Sequence, residues 1–222
     1  MPIVLYHFPP SPPSRAVLTT AKAIGVDVTI KIIDLFKNEH LTEDYLKINP
    51  EHMVPTIDDN GLILHDSHAI ATYLVSRYGK DDSLYPKDVE QRALVDQRLY
   101  FDATILFSRL RATTFPIFFQ GKRNVDAAAR DAIYEALGIL EKYLEPTGWA
   151  AGERATVADL SCSVTVGSLR AIGVDLSAYP KIRDWLKRCK STFSGYEEAN
   201  QEGEKLIGDG IKNLVGCKAY SR

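Results

Sequence analysis

The sequence has few of the features that mark secreted or metal-binding proteins. Its 222 residues include only three cysteines, Cys162, Cys189 and Cys217, which are widely spaced and odd in number. They fit neither a zinc-type spacing nor a disulfide framework, so we predict no metal site. Buried free thiols are typical of proteins in reducing compartments. We therefore expect a cytoplasmic protein.

Long hydrophobic runs are also missing. No apolar stretch approaches the ~20 residues that a membrane-spanning helix needs. Residues 1–15 contain no basic segment before their apolar run, and prolines interrupt that run, so they do not resemble a signal peptide. We expect no association with a membrane.

Neither sign of charge is in excess. The 27 Lys and Arg residues nearly balance the 29 Asp and Glu residues, for a net charge of -2. This balance predicts no broad attraction to nucleic acid. Any site for an anion must therefore be built from a few local groups.

The first 78 residues alternate between strand-like and helix-like patterns. Apolar or β-branched runs at 3–6 and 29–33 flank a helical segment, which predicts a parallel β-α-β unit with a right-handed crossover. Residues 56–58 and 62–64 flank an Asp-Asn-Gly turn and predict a hairpin. A helix is predicted from Asp66 through Tyr78, and a short one after Thr42. The order is β-α-β-α-β-β-α.

The rest of the chain has a helical period throughout. We predict an α/β domain at 1–79, a linker at 80–88 and an all-helical domain at 89–222. The first helix of the second domain is predicted to be long and to break at the Thr-Thr-Phe-Pro segment, 113–116. Residues 156–159 match a capping box. The glycine-rich last 25 residues are predicted to be only weakly helical.

Three segments with exposed polar groups fall at predicted element starts. Ser11 precedes the first helix, Val54-Pro55 precedes a strand, and Asp66-Ser67 opens another helix. A proline that enters a strand cannot donate to the ladder and marks an edge, bulge or turn. Together these segments predict a site for an anionic small molecule.

The order and spacing of several short segments resemble one family over essentially the whole chain. The chain is similar to cytosolic glutathione S-transferases, most of all the insect epsilon class and next the delta class. The resemblance implies a thioredoxin-like α/β domain followed by an all-helical domain. The matching segments are 11–13 (SPP), 49–56 (NPEHMVPT), 66–70 (DSHAI), 151–152 (AG) and 156–159 (TVAD).

The resemblance implies that Ser11 is the catalytic residue, whose hydroxyl holds the glutathione sulfur as thiolate. On the residues alone, a helix cap is the more common role for a serine at this position. Tyr6, at the end of the first strand, and Ser14, in the first helical turn, are alternatives. The strand context of Tyr6 favours a tyrosine of the core.

Further residues match positions that bind glutathione in the family. Asp66 and Ser67 match the residues that hold the γ-glutamyl end, and an N-terminal helix cap is compatible with that role. The backbone at Val54 matches the part that binds the cysteinyl unit. The full predicted set is His40, His52, Met53, Val54, Pro55, Asp66, Ser67, His68 and Arg111.

One position departs from the family pattern. Many relatives have Arg directly after the position of Ser67, and a polar network runs from it to an aspartate that assists ionisation. This chain has His68 there, and Asp102 fits the aspartate. We expect this supporting network to be weaker or pH-dependent.

A hydrophobic wall for an electrophile is predicted where the first long helix ends. An aromatic stripe at helical spacing is also compatible with ordinary core packing. The resemblance implies substrate contact for Phe107, Leu110, Arg111, Thr114, Phe115 and Phe119.

The implied function is transfer of glutathione to small hydrophobic electrophiles in xenobiotic or insecticide detoxification, with dehydrochlorination as a related activity. Glutathione would be the co-substrate, with no metal, and the protein would be a homodimer. Two alternatives remain on the same fold. One is a carrier of steroids or other hydrophobic ligands, and the other is a dedicated enzyme of a steroid pathway.

Overall fold

A computed structural model describes residues 2–216 and 219–220. Cys217, one of the three cysteines, lies outside this range, whereas Cys162 and Cys189 are free and buried. Among the described helices, none is both long and apolar enough to cross a membrane.

The first part of the chain forms a four-stranded mixed sheet with three helices. The sheet order is β2-β1-β3-β4, in which β1 and β2 are parallel and the other pairs are antiparallel. The β-α-β unit and the hairpin predicted from the sequence are confirmed. In order, the elements are β1 (Ile3–His7), α1 (Pro12–Ala23), β2 (Val28–Ile32), α2 (Glu43–Ile48), β3 (Thr56–Asp59), β4 (Leu62–His65) and α3 (Ser67–Tyr78).

The remaining described chain is helical, which confirms the predicted fold class of a thioredoxin-like domain followed by a helical one. Its most buried helix is α7, whose apolar side chains face neighbours on every side. The helices are α4 (Val89–Phe101), α5 (Phe107–Phe119), α6 (Ala127–Tyr143), α7 (Val157–Ala171), α8 (Pro180–Thr192) and α9 (Tyr196–Val215).

The predicted capping box at the start of α7 is present and extends into the core. The buried Asp159 carboxylate accepts hydrogen bonds from the Thr156 N–H at 2.9 Å, the Ala150 N–H at 2.7 Å and the Trp185 Nε1–H at 2.8 Å. Because each donor is otherwise without a partner in a dry environment, one carboxylate fixes the start of α7 and its contact with α8.

The prediction of one long helix with a break at 113–116 is wrong in two respects. A single π turn, Asp102–Leu106, separates α4 from α5. Pro116 lies inside α5, which continues to Phe119. Proline disfavours a helix interior, but Pro116 lies only one turn before the end of α5, next to the buried Ile117.

The expectation of a weakly helical C-terminal segment is also wrong, because α9 runs unbroken for 20 residues. Glycine lowers intrinsic helix propensity, but tertiary contacts override it. A side chain at Gly208 would lie 2.6 Å from the carbonyl oxygen of Ala171. The glycines of α9 thus permit close packing against neighbouring elements.

Candidate functional site

A cavity of about 670 Å³ lies between the sheet domain and the helical part. Its sheet-side lining comes from the segments that precede α1, β3 and α3, as the sequence predicted. Its other side comes from the π turn and α5. Every residue predicted to contact glutathione or an electrophile lines this cavity, and Asp102 lies behind it.

Ser11 lies in the cavity lining as the N-cap of α1. Its Oγ accepts a long hydrogen bond of 3.4 Å from the Ser14 N–H. An oxygen that accepts in this way still has its own hydrogen to donate to a group in the cavity. The helix N-terminus adds partial positive charge at the same place.

The two alternatives to Ser11 lie outside the cavity lining. Ser14 is fully buried, and its Oγ lies 3.4 Å from the Phe8 N–H that donates to it. Tyr6 is buried in the sheet domain, where its ring packs edge-on against Tyr45 at 5.7 Å. Ser14 thus serves local hydrogen bonding, and Tyr6 serves packing.

The peptide bond between Val54 and Pro55 is cis. The preceding residue, Met53, is held by its carbonyl oxygen, which accepts from Tyr45 Oη–H at 2.7 Å and from Asn49 Nδ2–H at 3.0 Å. In the described part of the chain, the Val54 N–H and C=O have no hydrogen-bond partner. They are free to pair with a bound extended peptide.

Asp66 and Ser67 meet the cavity at the N-terminus of α3. Asp66 has φ 69°, a conformation that is uncommon for a residue other than glycine. Its Oδ1 accepts from the His68 N–H at 2.9 Å and the Ala69 N–H at 3.0 Å. The neighbouring side chain of His68 and these amide groups hold the pKa of Asp66 at about 2, so its carboxylate is charged at neutral pH.

Comparison with known proteins identifies the family to which this chain is similar. Residues 5–82 match the family model for the glutathione S-transferase N-terminal domain, and residues 97–188 match that for the C-terminal domain. The chain is 43% identical to glutathione S-transferase D7 of Anopheles gambiae over 206 residues, which is 92% of this chain and 94% of the relative.

The chain belongs to the glutathione S-transferase family.

Solved structures of two insect classes match this transferase about equally well. An epsilon-class enzyme from the housefly Musca domestica is 46% identical with a TM-score of 0.92, over 96% of this chain and 99% of that one. A delta-class enzyme from Nilaparvata lugens is 44% identical with a TM-score of 0.92, over 96% and 100%. The expected relation to these two classes is confirmed.

His68, Asp102 and Ser161 form a polar network behind the cavity. The His68 Nε2 lies 3.1 Å from Asp102 Oδ2, which also accepts from Ser161 Oγ–H at 2.6 Å. The His68 Nδ1 lies 3.7 Å from Asp66 Oδ1, which is too far for a hydrogen bond. His68 therefore lies between a carboxylate at the cavity and a buried carboxylate behind it.

The electrostatics of His68 favour the imidazolium form. Burial lowers the pKa of His68, but the carboxylates of Asp102 and Asp66 outweigh burial and raise the pKa to about 9. A histidine with this pKa is a cation at neutral pH. It thus supplies a positive charge between Asp66 and Asp102.

The π turn explains how Asp102 reaches this network. It inserts one extra residue into the helical repeat between α4 and α5. Asp102, at the start of the turn, is buried against Ser161 of α7, and Phe107, directly after it, lines the cavity. The sequence gives no local signal for such a turn.

His40 and His52 lie together at one end of the cavity. Their ring centroids are 6.2 Å apart, and both rings line the site. Burial lowers the pKa of His40, and a charge on His52 lowers it further. At neutral pH His40 is thus a neutral hydrogen-bonding group.

The opposite wall of the cavity is aromatic. Arg111 stacks on Phe115, with the guanidinium carbon 4.4 Å from the ring centroid. Phe115 in turn packs against Phe119 at 5.1 Å. The residues of the predicted wall therefore line the cavity, and two of them, Leu110 and Thr114, are also buried.

Phe36 is a cavity residue that sequence reasoning missed. It lies in a short 3-10 turn after β2, and its ring stacks on Phe119 at 5.5 Å and contacts Phe118 at 5.8 Å. It thus joins the sheet domain to the end of α5 across the cavity. An apolar Leu-Phe pair in a polar loop was the available signal. Phe118 and Ile207 of α9 were missed as well.

No cluster of three metal-ligating side chains occurs within residues 2–216 and 219–220.

The charge on His68 makes a prediction about stability and pH. Its folded pKa of about 9 lies above the ordinary value of 6.5. The stabilisation is therefore complete below pH 6.5 and is lost as the pH rises through about 9. At ~1.4 kcal/mol per pKa unit, it amounts to at most about 3 kcal/mol.

Denaturant unfolding of the wild type and His68→Gln between pH 6 and 10 checks this. We expect the difference in unfolding free energy to shrink as the pH rises. His65→Gln is the matched control, since His65 also lines the cavity but its ring pairs with the exposed carboxylate of Glu51, at 3.3 Å. A difference between wild type and His68→Gln that does not change with pH would contradict the assignment.

Proposed function

We propose that this transferase conjugates the thiolate of glutathione to small hydrophobic electrophiles. The observation that carries the proposal is the position of Ser11. Its hydroxyl lies at a helix N-terminus in a cavity with a polar side and an aromatic side. A tripeptide with two carboxylates suits the first side, and an apolar electrophile suits the second.

Glutathione is assigned to the sheet side of the cavity. The N-terminus of α3 and Ser67 bind the γ-glutamyl carboxylate, and Asp66 pairs with the ammonium group. The free N–H and C=O of Val54 pair with the cysteinyl unit, while Met53 and Pro55 shape the same segment. His40 and His52 lie where the glycyl carboxylate would end.

Ser11 acts on the sulfur by donating a hydrogen bond. A free thiol has a pKa of ~8.5, and each unit of depression requires about 1.4 kcal/mol of preferential stabilisation of the thiolate. The hydroxyl and the dipole of α1 both favour the anion. Arg111, on the opposite wall, adds a positive charge at the thiol end, and His68 stabilises Asp66.

The reaction then forms one carbon–sulfur bond. The thiol proton passes to solvent on ionisation, and the thiolate attacks the electrophilic carbon. In a chloronitrobenzene, chloride leaves with the bonding electron pair. The aromatic wall, including Phe107, Leu110, Thr114 and Phe119, holds the electrophile away from water.

The natural role that fits this site best is detoxification of xenobiotics such as insecticides, with dehydrochlorination as a related activity. The names of the relatives support a glutathione transferase but specify no electrophile. A hydrophobic carrier or a steroid-pathway enzyme on the same fold is the alternative function, since an aromatic cavity also suits such ligands.

Turnover of a chloronitrobenzene with glutathione tests the proposal. We expect Ser11→Ala to lower kcat/KM by about 10- to 100-fold, since each unit of lost pKa depression reduces the thiolate population tenfold. Ser108→Ala is the matched control, because Ser108 also lines the cavity but its hydroxyl donates to the Ala103 carbonyl at 2.9 Å.

Two results would contradict the proposal. One is a wild-type rate no higher than the reaction in solution across several electrophiles. The other is an equal loss in the Ser11→Ala and Ser108→Ala variants. Tight binding of hydrophobic ligands without turnover would favour the carrier.

We further propose a homodimer with domains divided at 1–79 and 89–222 by a linker, 80–88, in the cytoplasm. Support for the dimer comes from α4, where Leu94 and Tyr100 are large, exposed side chains. Apolar groups of this size are common in protein interfaces. Support for the location comes from the free thiols Cys162 and Cys189.

Light scattering at micromolar concentration checks the dimer. We expect twice the mass of the chain for the wild type and a shift toward the monomer for Leu94→Glu, which places a charge in the interface. Leu206→Glu is the matched control, because Leu206 of α9 is 45% exposed, as is Leu94. A monomeric wild type would overturn this proposal.

A further inference from the structure

The segment that carries Ser11 packs against α9. Two backbone hydrogen bonds fix Ser11 within its own segment: its N–H donates to the Phe8 carbonyl at 2.9 Å, and its carbonyl accepts from the Arg15 N–H at 3.1 Å. From the helical part of the chain, Gly203 of α9 packs directly against Pro9, two residues before Ser11.

Gly203 has no room for a side chain. A methyl group built there would overlap the carbonyl oxygen of Pro9 and the Cδ of Arg15, and it would lie 2.7 Å from Arg15 Nε. Gly203 lies in the middle of a helix, where glycine is less favourable than alanine. Its backbone conformation therefore does not require glycine, but the close approach of the Pro9 segment does.

Arg15 continues this contact into the protein interior. Its side chain is 0% exposed, with Nη1 donating to Asn200 Oδ1 at 3.0 Å and Nη2 to Ser168 Oγ at 2.6 Å. Asn200 also donates to Thr19 Oγ1 at 2.8 Å. These bonds join α1, α7 and α9 one helical turn from Ser11.

The side chain of Arg15 points away from the cavity, which it does not line. It therefore does not contact the sulfur. Its buried guanidinium instead fixes the position of α9 relative to the start of α1.

We propose that Gly203 is a positioning residue for Ser11: by lacking a side chain, it lets α9 hold the Pro9 carbonyl and the Arg15 stem, and so fixes the hydroxyl that stabilises the thiolate. The inference rests on the proposed function. It links the C-terminal helix to the ionisation of glutathione without any contact between that glycine and the substrate. A displacement of well under 1 Å is enough to weaken a hydrogen bond to sulfur.

The apparent thiol pKa of bound glutathione tests this, measured by thiolate absorbance against pH. We expect Gly203→Ala to raise that pKa by about one unit, which lowers the thiolate fraction tenfold at a pH below the pKa. The KM for glutathione should change less than kcat, because the residues assigned to its carboxylates do not touch Gly203.

Gly208→Ala is the matched control. It adds the same methyl group to the same helix and also meets a backbone oxygen, at 2.6 Å from Ala171. That contact is with α7 and not with the Ser11 segment. We expect Gly208→Ala to alter thermal stability without changing the thiol pKa.

A second variant keeps the proposal testable if Gly203→Ala does not fold. Asn200→Ala removes the hydrogen bond to Arg15 Nη1 and should also raise the thiol pKa, by a smaller amount. Unchanged thiol pKa values in the folded variants would overturn the inference, as would equal shifts in Gly203→Ala and Gly208→Ala.

Failure of the inference and failure of the proposed function give different results. If the wild type does not depress the thiol pKa, the proposed role of Ser11 is wrong. If the wild type depresses it and Ser11→Ala restores it while Gly203→Ala leaves it unchanged, only the positioning role is wrong.

Discussion

The arrangement of the site depends on how the first turn of α1 is fixed. The N-cap oxygen of Ser11 accepts from the Ser14 N–H, while the fully buried Ser14 is itself bonded to the Phe8 N–H. One turn of helix thus ties the hydroxyl to the end of β1. Because Arg15 extends the same turn into the contact between α7 and α9, the position of the hydroxyl follows from packing in both halves of the chain.

An ion pair between His68 and Asp102 is a second contact that joins the two halves of the chain. His68 belongs to α3, and Asp102 belongs to the π turn after α4. Their contact at 3.1 Å therefore joins the sheet domain to the helical part of the chain behind the cavity. A buried carboxylate without a cation would be costly, and the imidazolium removes that cost. His68 carries this positive charge at neutral pH, and the charge is lost as the pH rises through its pKa of about 9.

The parts of the fold that could be predicted correctly from the sequence are those with local signals. The β-α-β unit, the hairpin and the Thr156–Asp159 box follow from periodicity, turn residues and caps within a few residues of each other. The segments around Ser11, Val54 and Asp66 were likewise visible because each precedes a regular element. The structure brings them to one cavity.

What sequence could not predict depends on contacts between distant residues. The π turn places the Asp102 carboxylate where it accepts a hydrogen bond from Ser161 of α7, more than 50 residues away. Nothing in the local composition indicates such a turn. The glycines of α9 weaken a helix by propensity, but close packing against Pro9 and Ala171 stabilises it. The position of Phe36 in the cavity lining depends on its contacts with Phe118 and Phe119 at the end of α5, which are distant in sequence.

The measurement that tests the account most directly is titration of the thiol of glutathione bound to the wild-type protein, followed by thiolate absorbance, and its repetition in Ser11→Ala. The account predicts a thiol pKa well below the free value of ~8.5 in the wild type. It predicts a return toward that value when the hydroxyl is removed. A bound thiol with the free value, or a depressed pKa that Ser11→Ala leaves in place, would contradict the account.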